Sequence, residues 1–411
     1  MRFGAASSPL EQDPARTLPL RWRDAKITLS ISKSFEASVQ NIRPGTDVMS
    51  VVRRSSDTWS AATGLEFVIV STDIENVSRS GPAGDGINLI TAAPSDANSR
   101  VFANGSEDAP ATTRLFYGRQ GYISEADIVL NSTQQFSDDG TFGTFDLESI
   151  MTHEIGHLLG LEHSPISGTV MYPQHAKNGL FAEPTFWGRN LFASDLSAAR
   201  TAYGSPDADV ECCFRIEGNL PLIGTKRKAI VWAENAATGA VTASRTGEFG
   251  APFVFDGLET GHYRVFFRQL ENAADLRGTV GSREVRLSTR EPIGRVEFTS
   301  PGERASLRLD QIGLNGQLSR TAATAEAGGR YTLYLAGIGL TAGKLRIAST
   351  SPFLTFEPGS IRSHDYGSQV SIISVDVAVD SEAPSGSYSI AVSDVRGARS
   401  VLPGSVVVLR R

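Results

Sequence analysis

Three of the chain's six histidines fall inside one eleven-residue string, "HEIGHLLGLEH", from His153 to His163. Residues four apart on an α-helix stand one above the other, about 6 Å apart along the axis. His153 and His157 can therefore aim two imidazoles at one ion. Glu154 points in a neighbouring direction, suited to a water on that ion rather than to the ion itself. Gly160 has no Cβ to oppose the left-handed conformation that ends a helix, so the chain can turn there and bring His163 to the same place. Three neutral imidazoles leave a fourth position open, the arrangement of a catalytic rather than a structural zinc. Zinc lowers the pKa of the water it holds to about 7. Glu154 can act as general base, taking that proton and passing it to a leaving amine while the metal polarises a carbonyl. A bare His-Glu-x-x-His arises by chance on helices; the added Gly160 and His163, in a chain so poor in histidine, make this string a metal site.

The helix that carries the histidines is expected from Asp146, whose side chain can cap it, to Gly160. Upstream, "AKITLSIS" alternates Ile27, Leu29 and Ile31, the period of a half-buried strand. Val48, Val51, Val52, Trp59 and Ala62 recur at helical spacing, with Thr46 as the expected cap and Gly64 as the stop. Apolar runs at 67–70, 87–90, 114–117 and 126–131 predict further strands. A third helix is expected over "SDLSAARTAYG", with Ser194 as cap and Gly204 as stop. Strand, helix, several strands and helix point to an α+β or α/β sheet domain over 21–205, behind a loose lead-in at 1–20. A linker at 206–213 closes it. Beyond the linker helical periodicity fades and turn signals become regular, which predicts one β-sandwich over 214–298 and a second β-rich domain over 300–411.

The string matches the metzincin signature, a His-Glu-x-x-His-x-x-Gly-x-x-His helix followed by a Met-turn, here "VMYP" with Met171 as the structural methionine. Within the metzincins the chain most resembles the matrixins, because "EADIVLN", "FDLESIMTHEIGHLLGLEHS", "SGTVMYP" and "SDLSAARTAYG" occur in that family's order. The likeness covers roughly residues 18–205. It implies a zinc metalloendopeptidase whose α+β catalytic domain has a twisted mixed sheet and three helices; with the β-rich remainder the expected fold is multidomain, that domain followed by two all-β sandwich domains. It implies one catalytic Zn2+ on His153, His157 and His163, a protein or peptide substrate, and a secreted, extracellular setting. By position, "ATTRLFYG" is the candidate edge strand for substrate. Phe181, Phe186 and Trp187 are candidates either for the specificity pocket or for local core. The family's second, structural zinc is not expected, since no histidine precedes His153, and no inhibitory cysteine precedes Cys212. The 214–298 region resembles carboxypeptidase regulatory-like modules, and the last domain an immunoglobulin-like sandwich.

A net charge of −6 and the absence of a basic cluster argue against nucleic acid as a partner. No apolar run reaches the length of a membrane span, and the first twenty residues show no apolar signal segment. Asp138, Asp139 and Asp146 offer hard oxygen donors, so Ca2+ is a possible second ion. His175 is expected at the surface rather than as a fourth ligand. Adjacent Cys212 and Cys213 are expected as reduced thiols, with a vicinal or intermolecular disulfide as the alternative. Two rival readings stand beside the protease: a binding or adhesion protein whose protease-like domain is inactive, and a self-processing protease that cuts near its own linker. The oligomeric state is not encoded in any motif.

Overall fold

The computed structural model describes residues 19–36, 41–78, 84–102, 107–222, 228–270, 280–298, 307–365, 367 and 370–410. Nearly all of the expected lead-in lies outside them. The chain divides into two compact units. One comprises Met1–Glu162, His175–Asn190 and Ala202–Ala208; the other comprises His163–Gln174, Leu191–Thr201 and Asp209–Arg411.

The first unit is built on β1 (Arg21–Trp22), β2 (Lys26–Ser32), α1 (Val48–Thr63), β3 (Glu66–Thr72), β4 (Leu89–Thr91), α2 (Asp96–Ser99), β5 (Ala111–Tyr117) and β6 (Tyr122–Leu130). Short β7 (Phe136–Ser137) and β8 (Phe145–Asp146) lead into α3 (Leu147–Leu158); of the later α4 (Ala193–Tyr203) only Ala202 and Tyr203 belong to this unit. The sheet runs β1-β6-β4-β2-β3, with β5 added on β6. Its pairings are parallel except for antiparallel β5 on β6. Among the described residues β5 pairs with β6 alone, so the strand "ATTRLFY" forms an edge, as its position in the sequence suggested.

Helix α1 buries the face its spacing predicted, Val48, Val51, Val52, Trp59 and Ala62, and Gly64 ends it at φ 74°. Its cap is Asp47 and not Thr46: the Asp47 carboxylate accepts from the Ser50 N–H at 3.0 Å, while the Thr46 hydroxyl donates to Asp138. A carboxylate oxygen reaches the third N–H of the helix and carries the charge that the helix N-terminus favours. Ser95 caps the four-residue α2, a fourth helix that the three-helix expectation did not include. Helix α4 starts one residue before Ser194, and Gly204 follows it at φ 79°.

The second unit is almost wholly β. Strands β9 (Cys212–Asn219), β10 (Lys228–Asn235), β11 (Val241–Glu248), β12 (Pro252–Glu259), β13 (Gly261–Gln269), β14 (Val280–Leu287) and β15 (Ile293–Glu297) form sheets β11-β10-β13-β14 and β12-β9-β15. Phe214, Val231, Phe253, Val265, Phe267 and Val296, drawn from both sheets, share one apolar core. Downstream, residues 308–409 form a five-stranded and a four-stranded sheet. The two chain segments inserted from upstream are built into this unit. Ile166 packs with Ile230, Trp232, Val241, Phe266, Ala391 and Val401 in one buried cluster. Gly168 lies so close to the Gly404 carbonyl that a Cβ there would be 2.3 Å from its oxygen. Cys212 and Cys213 are joined by a disulfide, with Cα atoms 3.1 Å apart across a cis peptide; this is the vicinal bridge given above as the alternative, in place of two reduced thiols.

Candidate metal centre

Every residue of α3 is buried, so the helix has no solvent face and must be held by polar partners at both ends. At its start the Asp146 carboxylate caps the Ser149 N–H at 3.0 Å and takes two bonds from the Arg189 guanidinium, at 2.5 and 2.9 Å. Such a bidentate pair fixes orientation as well as charge. Along its length the Trp59 indole donates to the Thr152 carbonyl at 2.7 Å, and Arg54 pairs with Glu148 at 2.7 Å. At its end the orphan carbonyls of Leu158 and Leu159 accept from the Trp22 indole and the Tyr203 hydroxyl, at 2.8 and 2.7 Å.

Gly160 then takes φ 89°, as expected of the residue that turns the chain. Its N–H bonds to the His157 carbonyl and that of Leu161 to the Gly156 carbonyl, the nested pair of a Schellman ending. Any side chain at Gly160 would meet the Leu20 carbonyl, 2.3 Å from an added Cβ.

This turn delivers the third histidine. Ligand atoms of His153, His157 and His163 lie within 4.8 Å of one another, a set that could hold a metal ion. His153 and His157 are buried and His163 is exposed. The two helical rings meet edge to face, with centroids 4.5 Å apart. His157 Nδ1 is 2.8 Å from the Leu161 carbonyl, which only accepts. That contact places the proton on Nδ1 and leaves the Nε2 lone pair for a metal, the outer support expected of a ligating imidazole. The donor set therefore fits zinc. His175, expected at the surface, is instead half-buried with its ring 4.4 Å from that of His153. It is not among the three clustered ligands.

Glu154 is 3% exposed, and burial pushes its carboxyl up to about 7, opposed by a hydrogen bond from Thr113. The Thr113 hydroxyl, on β5, lies 2.6 Å from Glu154 Oε2 and 3.0 Å from the Glu154 carbonyl oxygen. Nothing in the sequence marked Thr113. A lone threonine in a strand carries no spacing signal, and the contact spans 41 residues.

Met171 is buried, in a turn closed by the Tyr172 N–H on the Thr169 carbonyl at 3.2 Å. The Ser164 N–H bonds to the Met171 carbonyl at 2.8 Å. Asp195, also unmarked by the sequence reading, anchors this turn: it accepts from Phe192 N–H at 3.1 Å and Val170 N–H at 3.4 Å. Burial pushes its carboxyl up to about 6 against these donors.

Of the aromatic candidates for a pocket, Phe181 is buried, and the Phe186 ring carries the Arg189 guanidinium 4.0 Å from its centroid. Trp187 is half-buried. The three candidate calcium carboxylates are engaged by protein groups: Asp146 by Arg189, Asp139 by Thr141 and Arg43, and Asp138 by Thr46.

Residues 21–203 match the family model described as Matrixin. This segment is a matrixin-type domain. Metalloendoproteinase 4-MMP of Arabidopsis thaliana is 28% identical over 45% of this chain and 48% of its own length. Metalloendoproteinase 1-MMP of the same plant is 32% identical over 37% of this chain and 38% of its own. Karilysin of Tannerella forsythia is 28% identical over 39% of this chain and 29% of its own. The chain thus spans about half or less of the length of the relatives it matches. At the level of the family, the matrixin domain is that of a zinc metalloendopeptidase. Among the described residues no helix is long and apolar enough to cross a membrane.

Proposed function

We propose that the chain is a zinc-dependent endopeptidase in which His153, His157 and His163 hold the ion and Glu154 is the general base. The observation that carries this reading is the convergence of three imidazoles beside a buried carboxylate. Bound zinc would supply a Lewis acid that polarises a peptide carbonyl and acidifies water. Glu154, with a raised affinity for protons, takes one from the attacking water and gives it to the leaving amine. Edge strand β5 is the element along which an extended peptide would add as a further strand. Downstream, the paired sheets of the second unit act as two β-sandwich modules in spacing, docking or attachment. The matrixin likeness supports a secreted protein acting on other proteins, and the negative net charge supports no role for nucleic acid.

The test is cleavage of an unfolded protein by the zinc-loaded wild type and by Glu154→Ala, with the cuts mapped by mass spectrometry. Loss of about 10²-fold or more in the variant, with zinc retained, is the expected result. Equal cutting by both removes Glu154 from the mechanism. No cutting by a zinc-loaded wild type favours a binding protein.

A further inference from the structure

We infer that Thr113 is a positioning residue for Glu154, its hydroxyl fixing the carboxylate that serves as base. The inference deepens the endopeptidase reading and rests on it. Strand alternation turns Ala111, Thr113 and Leu115 to the buried side of β5, and Thr113 is 3% exposed. Its hydroxyl contacts one residue twice, at 2.6 Å to Oε2 and 3.0 Å to the main-chain oxygen of Glu154. A group within reach of both ends of the same glutamate holds the side chain against its own helix. It thereby restricts the torsions of a side chain that is otherwise rotamer-rich.

Among the described residues, this hydroxyl is the hydrogen-bond donor on the carboxylate, and it engages Oε2. The other oxygen, Oε1, is left to meet a water. A base held in this way starts each turnover in register with the proton it must take. A base free to rotate spends part of its time elsewhere, and a misplacement of about 1 Å can cost about a hundredfold in rate. Because Thr113 lies on the edge strand, the strand proposed to pair with substrate also sets the rotamer of the base.

The experiment uses the full chain, zinc-loaded, as wild type, Thr113→Val and Thr113→Ser. Valine keeps the β-branched shape and removes the hydroxyl, whereas serine keeps the hydroxyl. Thr113→Val should lower kcat about ten- to hundredfold, the worth of one hydrogen bond to a charged group, with KM and zinc affinity within about twofold of wild type. Thr113→Ser should recover most of the rate. A second readout needs no metal: in zinc-free protein labelled with 13C-glutamate, the Glu154 carboxyl resonance, assigned by its loss in Glu154→Gln, should move in Thr113→Val and return in Thr113→Ser.

An unmoved resonance with unchanged kcat overturns the inference. So does a rise in KM alone, which would make Thr113 a substrate contact, or an equal loss in both variants together with a lower Tm, which would make it structural. A zinc-loaded wild type that cuts nothing defeats the endopeptidase reading instead, and the carboxyl resonance then decides whether Thr113 holds Glu154.

Discussion

Asp127 lies fully buried on β6, two residues from the equally buried Glu125. Burial first, and the Glu125 charge with it, pushes its carboxyl up from 3.8 to about 6, although the Leu89 and Ser78 N–H groups and Arg114 oppose the shift. A folded value above the unfolded one means that the native state binds the extra proton. The contribution of Asp127 to stability is therefore fully present below about pH 4 and is lost as the pH rises through about 6. Urea unfolding between these limits should show it, and Asp127→Asn should flatten that part of the profile. At this scale the sequence was legible where covalent spacing did the work. His153, His157, Gly160 and His163 lie on one helix and its turn, so their convergence follows from helix geometry alone. Thr113, Asp195 and Arg189 were not legible, because each reaches its partner across a fold whose register no local pattern states.

At the scale of the element, α3 ends by a device that one methyl group would defeat. Gly160→Ala combines a left-handed φ with a Cβ 2.3 Å from the Leu20 oxygen. The strain alone is worth about 1–3 kcal/mol. A lowered denaturation midpoint is expected, together with weaker zinc binding in a chelator competition, because the turn that aims His163 must reopen. Asp195 serves the Met171 turn in the same way. Asp195→Ala removes the acceptor of the Phe192 N–H, and a buried unpaired donor costs about 1–3 kcal/mol. The variant should unfold at lower urea while its circular dichroism spectrum stays native. Helices and strands were read nearly in place because their apolar periods are local. The misplaced cap shows the limit: Thr46 and Asp47 are both good caps by type, and the choice was made by Asp138, 92 residues away, which engages Thr46.

For the whole molecule, the change from mixed to β-rich sequence near residue 210 was visible in composition and turn spacing. The way the chain is divided was not. Residues 163–174 and 191–201 precede that change yet belong to the second unit, where Ile166 is fully buried against side chains from 64 to 235 positions further along. Such packing leaves no periodicity to read. The β strands are thus part of the support beneath the Met171 turn rather than a tail hung behind it. Truncation after residue 208 should bare Ile166 and lower Tm, even though the histidine string itself is intact.

That shared core separates cutting from release. If a foreign protease site is placed between Pro206 and Asp209 and digested, a denaturing gel should show two fragments, while size-exclusion chromatography should show one undivided peak. Two peaks would mean that Ile166 and its neighbours do not hold the pieces. With a single peak, a nick in the linker, whatever makes it, would change the chain count without setting the matrixin-type domain free.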